Sequence, residues 1–246
     1  MSGNPWLENG TTLSPHMRIG LFGGTFNPIH NCHLVIAAQT RDRLGLDRIV
    51  FIPSGDPPHK ASDTLAPARH RIEMVRRGIA DDPSFSVSDV EVRRATKSYS
   101  FETVQTFRTE SGAEAELFFI VGLDAFLEFP TWKQASELLH SCQFVVVSRQ
   151  GHSFASLAGF PLLPTIAPNS LGALDSRDRD RLDIPLRGGR MIIFLGLPPC
   201  PASASEIRSR FKSGLGAAAL LPAPVESYIM QLRLYQEGPD RTSVEG

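Results

Sequence analysis

The sequence has no long hydrophobic run. No apolar stretch in its 246 residues approaches the roughly 20 needed to cross a bilayer, so no membrane partner is expected. Cysteine is scarce: Cys32, Cys142 and Cys200 cannot all pair. The expectation is a reducing compartment, the cytoplasm, with no disulfide framework. Neither charge is in excess, since 25 basic against 26 acidic residues leave a formal net charge of −1. That removes any overall electrostatic reason to expect nucleic acid. Residues 1–16 lack the basic and apolar regions of a secretory leader and read as a flexible extension. Met17 stands directly before the first apolar run, so translation starting there is the alternative to Met1. Residues 238–246 read as a second loose tail, which leaves 17–237 as one domain.

What remains is an alternation of strand-like and helix-like segments. Apolar runs at 19–22, 48–52, 117–121, 144–148 and 191–195, and an alternating run at 85–92, predict strands. Helical spacing falls near 34–44, 67–80, 101–109, 132–140 and 202–211. Such alternation predicts an α/β fold: a Rossmann-like, doubly wound, largely parallel sheet with helices on both faces and a C-terminal helical segment. Ligands of such sheets bind beyond the carboxyl ends of the strands. Residues 151–189 are the least legible, and the mixed charges at 175–181 read as a solvated helix or loop.

The most informative stretch is I-G-L-F-G-G-T-F-N-P-I-H-N-C-H-L, residues 19–34. A strand runs into Gly23 and Gly24, then Asn27-Pro28 signals a turn, and His30 and His33 precede a helix. Glycines let phosphates approach the backbone, and the first turn of a helix attracts anions. The stretch is neither the dinucleotide fingerprint nor a P-loop, because G-x-G-x-x-G and G-K-[ST] are both absent from it. No Ser-His-Asp nucleophile arrangement can be assigned. His30, Cys32 and His33 superficially resemble zinc ligands, but no fourth ligand has a fitting spacing, so no protein metal site is expected.

Four further motifs carry chemistry. Pro53-Ser54-Gly55-Asp56-Pro57-Pro58-His59-Lys60 aims a cation from a stiff loop; alone it reads as surface. Ser98-Tyr99-Ser100 precedes a helix, with Ser100 the expected N-cap. Gly122-Leu123-Asp124 ends a strand ahead of Phe129-Pro130-Thr131-Trp132-Lys133. There an Asp suits a ribose and a Trp suits a planar ring, although each alone reads as a cap or a core residue. Ser203-Ala204-Ser205-Glu206-Ile207-Arg208 resembles a second phosphate-holding helix start.

Taken in order, these motifs resemble the bacterial nicotinate-nucleotide adenylyltransferases of the nucleotidyltransferase superfamily, over about residues 17–235. Thr25, Phe26, Pro28, His30 and His33 match [ST]-F-x-P-x-H-x-G-H. The segments I-P-x-x-x-P-P-H-K, S-Y-T, G-x-D with F-P-T-W, and I-S-[AS]-T-x-I-R have their counterparts here, as does the C-terminal L-L-P-x-P-V-x-x-Y-I. The resemblance implies adenylyl transfer from ATP to nicotinate mononucleotide, giving deamido-NAD and pyrophosphate, with Mg²⁺ carried by the phosphates. It implies ATP contacts at Gly23, Gly24, Thr25, Phe26, His30, His33, Gly122, Asp124, Ser205 and Arg208. It places the mononucleotide at Ser54, Lys60, Tyr99, Ser100 and Trp132, with His30, His33, Lys60 and Arg208 as catalytic groups. The alternatives are another acceptor, nicotinamide mononucleotide or phosphopantetheine, and a non-catalytic nucleotide sensor. Cys32 departs from the pattern's glycine. Beside a helix N-terminus and two histidines it is expected to be a reactive thiol that ATP shields; the alternative is a small buried Cys.

Overall fold

The computed structural model describes residues 16–55, 65–94 and 97–236. Seven strands form one sheet: β1 (Arg18–Gly24), β2 (Arg48–Pro53), β3 (Phe85–Val87), β4 (Glu116–Gly122), β5 (Gln143–Val147), β6 (Arg181–Pro185) and β7 (Met191–Leu195). Their order is β3-β2-β1-β4-β5-β7-β6. All neighbours are parallel except β6 and β7. The order reverses between β1 and β4, which is where a doubly wound sheet opens a crevice at its carboxyl edge.

The central strands are apolar throughout because both sheet faces are covered. Leu117, Phe119 and Val121 of β4 pack with α3 (Ser100–Ser111), α4 (Leu123–Leu127) and α5 (Ala135–Ser141). Phe118 and Ile120 point the other way, into a core built with α1 (Asn31–Leu44), α2 (Ala68–Gly78), α7 (Ala204–Lys212) and α8 (Ala223–Gln231). Each fully buried Leu, Ile or Phe contributes roughly 1.5–3 kcal/mol relative to exposure. Gly20 marks how tightly the side chains of the neighbouring strands close over β1: a Cβ there would lie 2.5 Å from Ile49 Cδ1 of β2 and 2.9 Å from Ile120 Cδ1 of β4. The helix α1 stops at Gly45, whose left-handed φ of 60° closes the helix through its N–H on Arg41 O.

Four local expectations are corrected. The strand expected over 85–92 ends at Val87, where Ser88 Oγ takes the Val90 N–H and Asp89 pairs with Arg93 in a helical turn. The helix expected over 132–140 begins only at Ala135, because Gln134 sits at φ 55° and Trp132 is extended. The weakly legible region contains α6 (Pro168–Asp175) and the edge strand β6. In β6, Arg181 and Asp183 pair with each other in solvent while Leu182 and Ile184 pack on the core, so a period of two was hidden inside a charge run. Finally, Cys32 and Cys200, 168 residues apart, form a disulfide with Cα atoms 5.6 Å apart. The odd cysteine count ruled out only complete pairing; it did not rule out this bond. The two tails expected at 1–16 and 238–246 lie outside the described residues, apart from His16.

Candidate nucleotide site

The site is assembled at the crevice over β1 and β4. Gly23 and Gly24 are the last residues of β1, so the strand expected to end at Phe22 runs through the glycines expected as a turn. A Cβ on Gly23 would meet open space, whereas one on Gly24 would lie 2.9 Å from the Phe26 ring. Gly24 therefore makes room for Phe26, whose backbone is left-handed at φ 46°, a strained conformation for a bulky residue. The Asn27–Pro28 peptide is cis.

His30 is the N-cap of α1 and His33 stands three residues on. The His30 backbone N–H donates to His33 Nδ1 at 3.2 Å, and the rings lie 3.8 Å apart. His33 is backed by Phe26, with ring centroids 5.0 Å apart. His30 is 1% exposed. Burial first, and the Arg149 cation second, lower its pKa to about 4, so the ring is neutral at pH 7. Its Nδ1 has no hydrogen-bond partner among the described residues. No acidic residue stands in the first turn of α1, so the positive end of its dipole is not neutralised from within that turn, while Arg41 and Arg43 in the last turn offset the negative end.

The second helix start faces the first. Ser203 caps α7, its Oγ accepting the Glu206 N–H at 3.2 Å. Ser205 is exposed in the first turn. Arg208 Nη1 donates to Asn27 O at 2.9 Å, tying α7 to the loop that carries the histidines. The disulfide is a second tie, from Cys32 in the first turn of α1 to the segment before α7. Cys32 therefore carries no thiol, and the expected reactive thiolate is corrected. The free cysteine is Cys142, whose thiol is pushed up to about 12 by burial.

A cavity of about 340 Å³ lies beside the disulfide, lined by Cys32, Arg149, Asp175, Arg177, Cys200 and Ser203 among others; His30, His33, Ser205 and Arg208 do not line it. Arg149, which stands beside Asp124 and His30, was not singled out in the sequence, because Ser148-Arg149-Gln150-Gly151 looks like any polar turn after a strand. Its Nε lies 3.4 Å from Asp124 Oδ2. Asp124 folds back over Gly122, where a Cβ would come within 2.5 Å of Oδ1. So Gly122 is small for the sake of Asp124, and Asp124 is held by Arg149.

On the opposite face of the sheet, Trp132 is half-buried on the α3 and α5 side. It meets Phe119 edge-on at 6.3 Å and Phe129 at 5.4 Å. The neighbouring Lys133 Nζ sits 4.0 Å over the Tyr99 ring and 3.3 Å from Glu102. The Tyr99-Ser100 and Trp132-Lys133 motifs thus share one corner. Tyr99, not Ser100, is the N-cap of α3, and Ser100 is its first residue. Ser54 donates its N–H to Gly24 O at 2.9 Å, and its buried Oγ has no partner among the described residues. Lys60 lies outside the described residues. Among those described, no three His, Cys, Asp or Glu side chains are grouped to hold a metal, and no helix is long and apolar enough to cross a membrane.

The model of the cytidylyltransferase-like family matches residues 21–210. Among curated relatives, a probable nicotinate-nucleotide adenylyltransferase of Pelobacter propionicus is 41% identical over 91% of this chain and 100% of its own length. One from Geobacter metallireducens is 40% identical over 89% of this chain and 98% of its own. Among solved structures, the nicotinic acid mononucleotide adenylyltransferase of Plasmodium falciparum, complexed with NaAD, superposes with a TM-score of 0.65 at 16% identity. It covers 89% of this chain and 98% of that one, a likeness of fold.

Proposed function

The chain belongs to the cytidylyltransferase-like family, and on that premise we propose how its site works as a nicotinate-nucleotide adenylyltransferase. The enzyme transfers the adenylyl group of ATP to nicotinate mononucleotide, giving deamido-NAD and pyrophosphate in NAD synthesis. A phosphate oxygen of the mononucleotide forms a bond to the α-phosphorus of ATP. The bond from that phosphorus to the bridging oxygen breaks in line, and its electron pair leaves with pyrophosphate. No protein nucleophile is required; the work is positioning and stabilisation of charge.

The observation that carries this reading is the His30–His33 pair at the start of α1, at the point where the strand order reverses and facing α7. His33 accepts a backbone N–H at Nδ1, so in its neutral form the proton sits on Nε2, a donor for a phosphate oxygen. His30, buried and neutral, supplies a hydrogen-bonding nitrogen without the repulsion of a second cation. An arriving triphosphate favours protonation of either ring as charge grows on the leaving group. Ser205 and Arg208 hold the β/γ end. Gly23 offers the open backbone face, and Asp124 and Gly122 take the adenosine ribose, with Arg149 beside them. Ser54, Tyr99, Ser100 and Trp132 receive the mononucleotide, and Lys60 draws in its phosphate. The donors assigned to the phosphates are imidazole, hydroxyl and guanidinium, which suit phosphate oxygens better than Mg²⁺, and the Asp124 carboxylate is paired with Arg149. The ion therefore enters with ATP, where it neutralises phosphate charge. The domain is residues 17–237, acting on soluble nucleotides.

The test is pyrophosphate release by the purified chain with ATP and Mg²⁺ across nicotinate mononucleotide, nicotinamide mononucleotide and phosphopantetheine. Release with nicotinate mononucleotide well above the others is expected. Preference for another acceptor would move the chain elsewhere in the superfamily, and nucleotide binding without release would make it a sensor.

A further inference from the structure

Among the described residues, Arg71 is the largest of the fully buried side chains. It lies on α2, away from the histidine pair in sequence, on the same buried face as Met74 and Val75. A buried guanidinium is costly unless its donors are met. Here they are met by three backbone carbonyls from three segments. Nε donates to Ala66 O at 3.0 Å, Nη1 to Thr25 O at 2.9 Å and Nη2 to Gly55 O at 2.8 Å.

Those carbonyls are not a random sample of the surroundings. Thr25 belongs to the loop between β1 and the histidines, on the ATP side. Gly55 follows Ser54 at the carboxyl end of β2, on the acceptor side. Ala66 is bound to the same ATP-side loop a second time, its N–H donating to Asn27 Oδ1 at 3.0 Å. Gly55 is also pressed from the other side: a Cβ there would be 2.5 Å from Glu91 O. Its position is therefore set between Arg71 and the Glu91 backbone.

We propose that Arg71 is a positioning residue for adenylyl transfer, one planar fork that fixes the ATP-side loop at Thr25 against the acceptor-side strand end at Gly55. The inference rests on the adenylyl-transfer reading. Two phosphates must meet in line, and a loop displaced by an ångström misaligns them. Lysine at this place keeps the charge and most of the length but has a single nitrogen, so it cannot span three carbonyls in a plane.

The experiment compares full-length wild type, Arg71→Lys and Arg71→Ala by kcat, by KM for each substrate and by melting temperature. Rates are divided by the number of sites that bind a non-hydrolysable ATP analogue. Arg71→Lys is expected to fold, to bind the analogue within about threefold of wild type, and to lose about 100-fold in kcat per site, the scale of an ångström misplacement. Guanidinium ion added to Arg71→Ala is expected to restore at least about tenfold of the lost kcat by re-supplying the fork. A kcat per site within about threefold of wild type in Arg71→Lys would overturn the inference, because a purely architectural arginine lowers the melting temperature and the number of sites without slowing each site. So would guanidinium that restores melting temperature and not kcat. If Arg71→Ala does not fold, the Arg71→Lys comparison decides alone. An inactive wild type in the same assay would overturn the reaction itself, and the inference with it.

Discussion

The backbone N–H of His30 donates to Nδ1 of His33 at 3.2 Å, so the first histidine of the pair orients the second. This bond turns two side chains three residues apart into one device. Capping α1 places His30 in the core, and its N–H then selects the tautomer of His33 that presents Nε2–H. Removing His33 leaves that backbone donor without its imidazole acceptor and takes away the donor proposed above for the leaving group. His33→Ala is expected to lower kcat by about 100-fold or more, near 3 kcal/mol by analogy with a lost oxyanion donor. The KM for mononucleotide should change little. Full activity in steady-state kinetics would end the histidine-pair mechanism.

The buried ring of His30 makes stability depend on pH with a definite sign. Its folded pKa, about 4, lies below the ordinary 6.5. Between those values the unfolded chain binds the extra proton, so stability rises with pH and is lost on acidification. The contribution is fully present above pH 6.5 and falls away as pH drops toward 4, by on the order of 3 kcal/mol. In thermal melts of the unliganded protein at pH 7.5 and 5, His30→Asn should show a smaller drop than wild type. Equal drops would mean that His30 is not the group responsible.

Trp132 has to serve two masters, since it packs edge-on against Phe119 and Phe129 while bordering the Tyr99 corner. Trp132→Ala is expected to raise the KM for nicotinate mononucleotide with little change for ATP. Stacking of a ring on an aromatic side chain is worth on the order of 1–3 kcal/mol. Trp132→Phe keeps an aromatic face and should recover part of the loss. If both variants weaken ATP and mononucleotide equally, the residue is core and nothing more.

The Cys32–Cys200 bond closes a loop of 168 residues in the chain. Constraining the unfolded chain over so long a loop stabilises by on the order of 3–5 kcal/mol. Dithiothreitol, or Cys32→Ser with Cys200→Ser, should lower the melting temperature by several degrees. Mass spectrometry after iodoacetamide should find no adduct on the native oxidised protein. It should find two after reduction, at Cys32 and Cys200, because Cys142 is buried with its thiol pKa near 12. A label on Cys32 without reductant would contradict the bond.

The parts of this fold that could be read in the sequence are those with a local cause. Strands β1, β2, β4, β5 and β7 announce themselves as apolar runs, because a parallel strand covered on both faces has no polar side. The histidine pair could be read because strand end, glycines, turn and helix start are contiguous. What was missed depends on contacts distant in sequence. Arg149 looks like a turn residue until Asp124 lies beside it. Arg71 fits the resembled family's helix together with Arg69 and Met74, but what it does shows only when three carbonyls converge on it. The disulfide joins residues whose closeness only the fold creates, and β6 hid its alternation among charges that solvate an edge.

The central claim is that this site joins an adenylyl group to the phosphate of nicotinate mononucleotide. The most direct measurement offers the purified protein ATP, Mg²⁺ and equal amounts of nicotinate and nicotinamide mononucleotides, and follows the dinucleotides by mass spectrometry. Deamido-NAD should accumulate in step with pyrophosphate, ahead of NAD. A predominance of NAD, or consumption of ATP with no dinucleotide formed, would contradict the account.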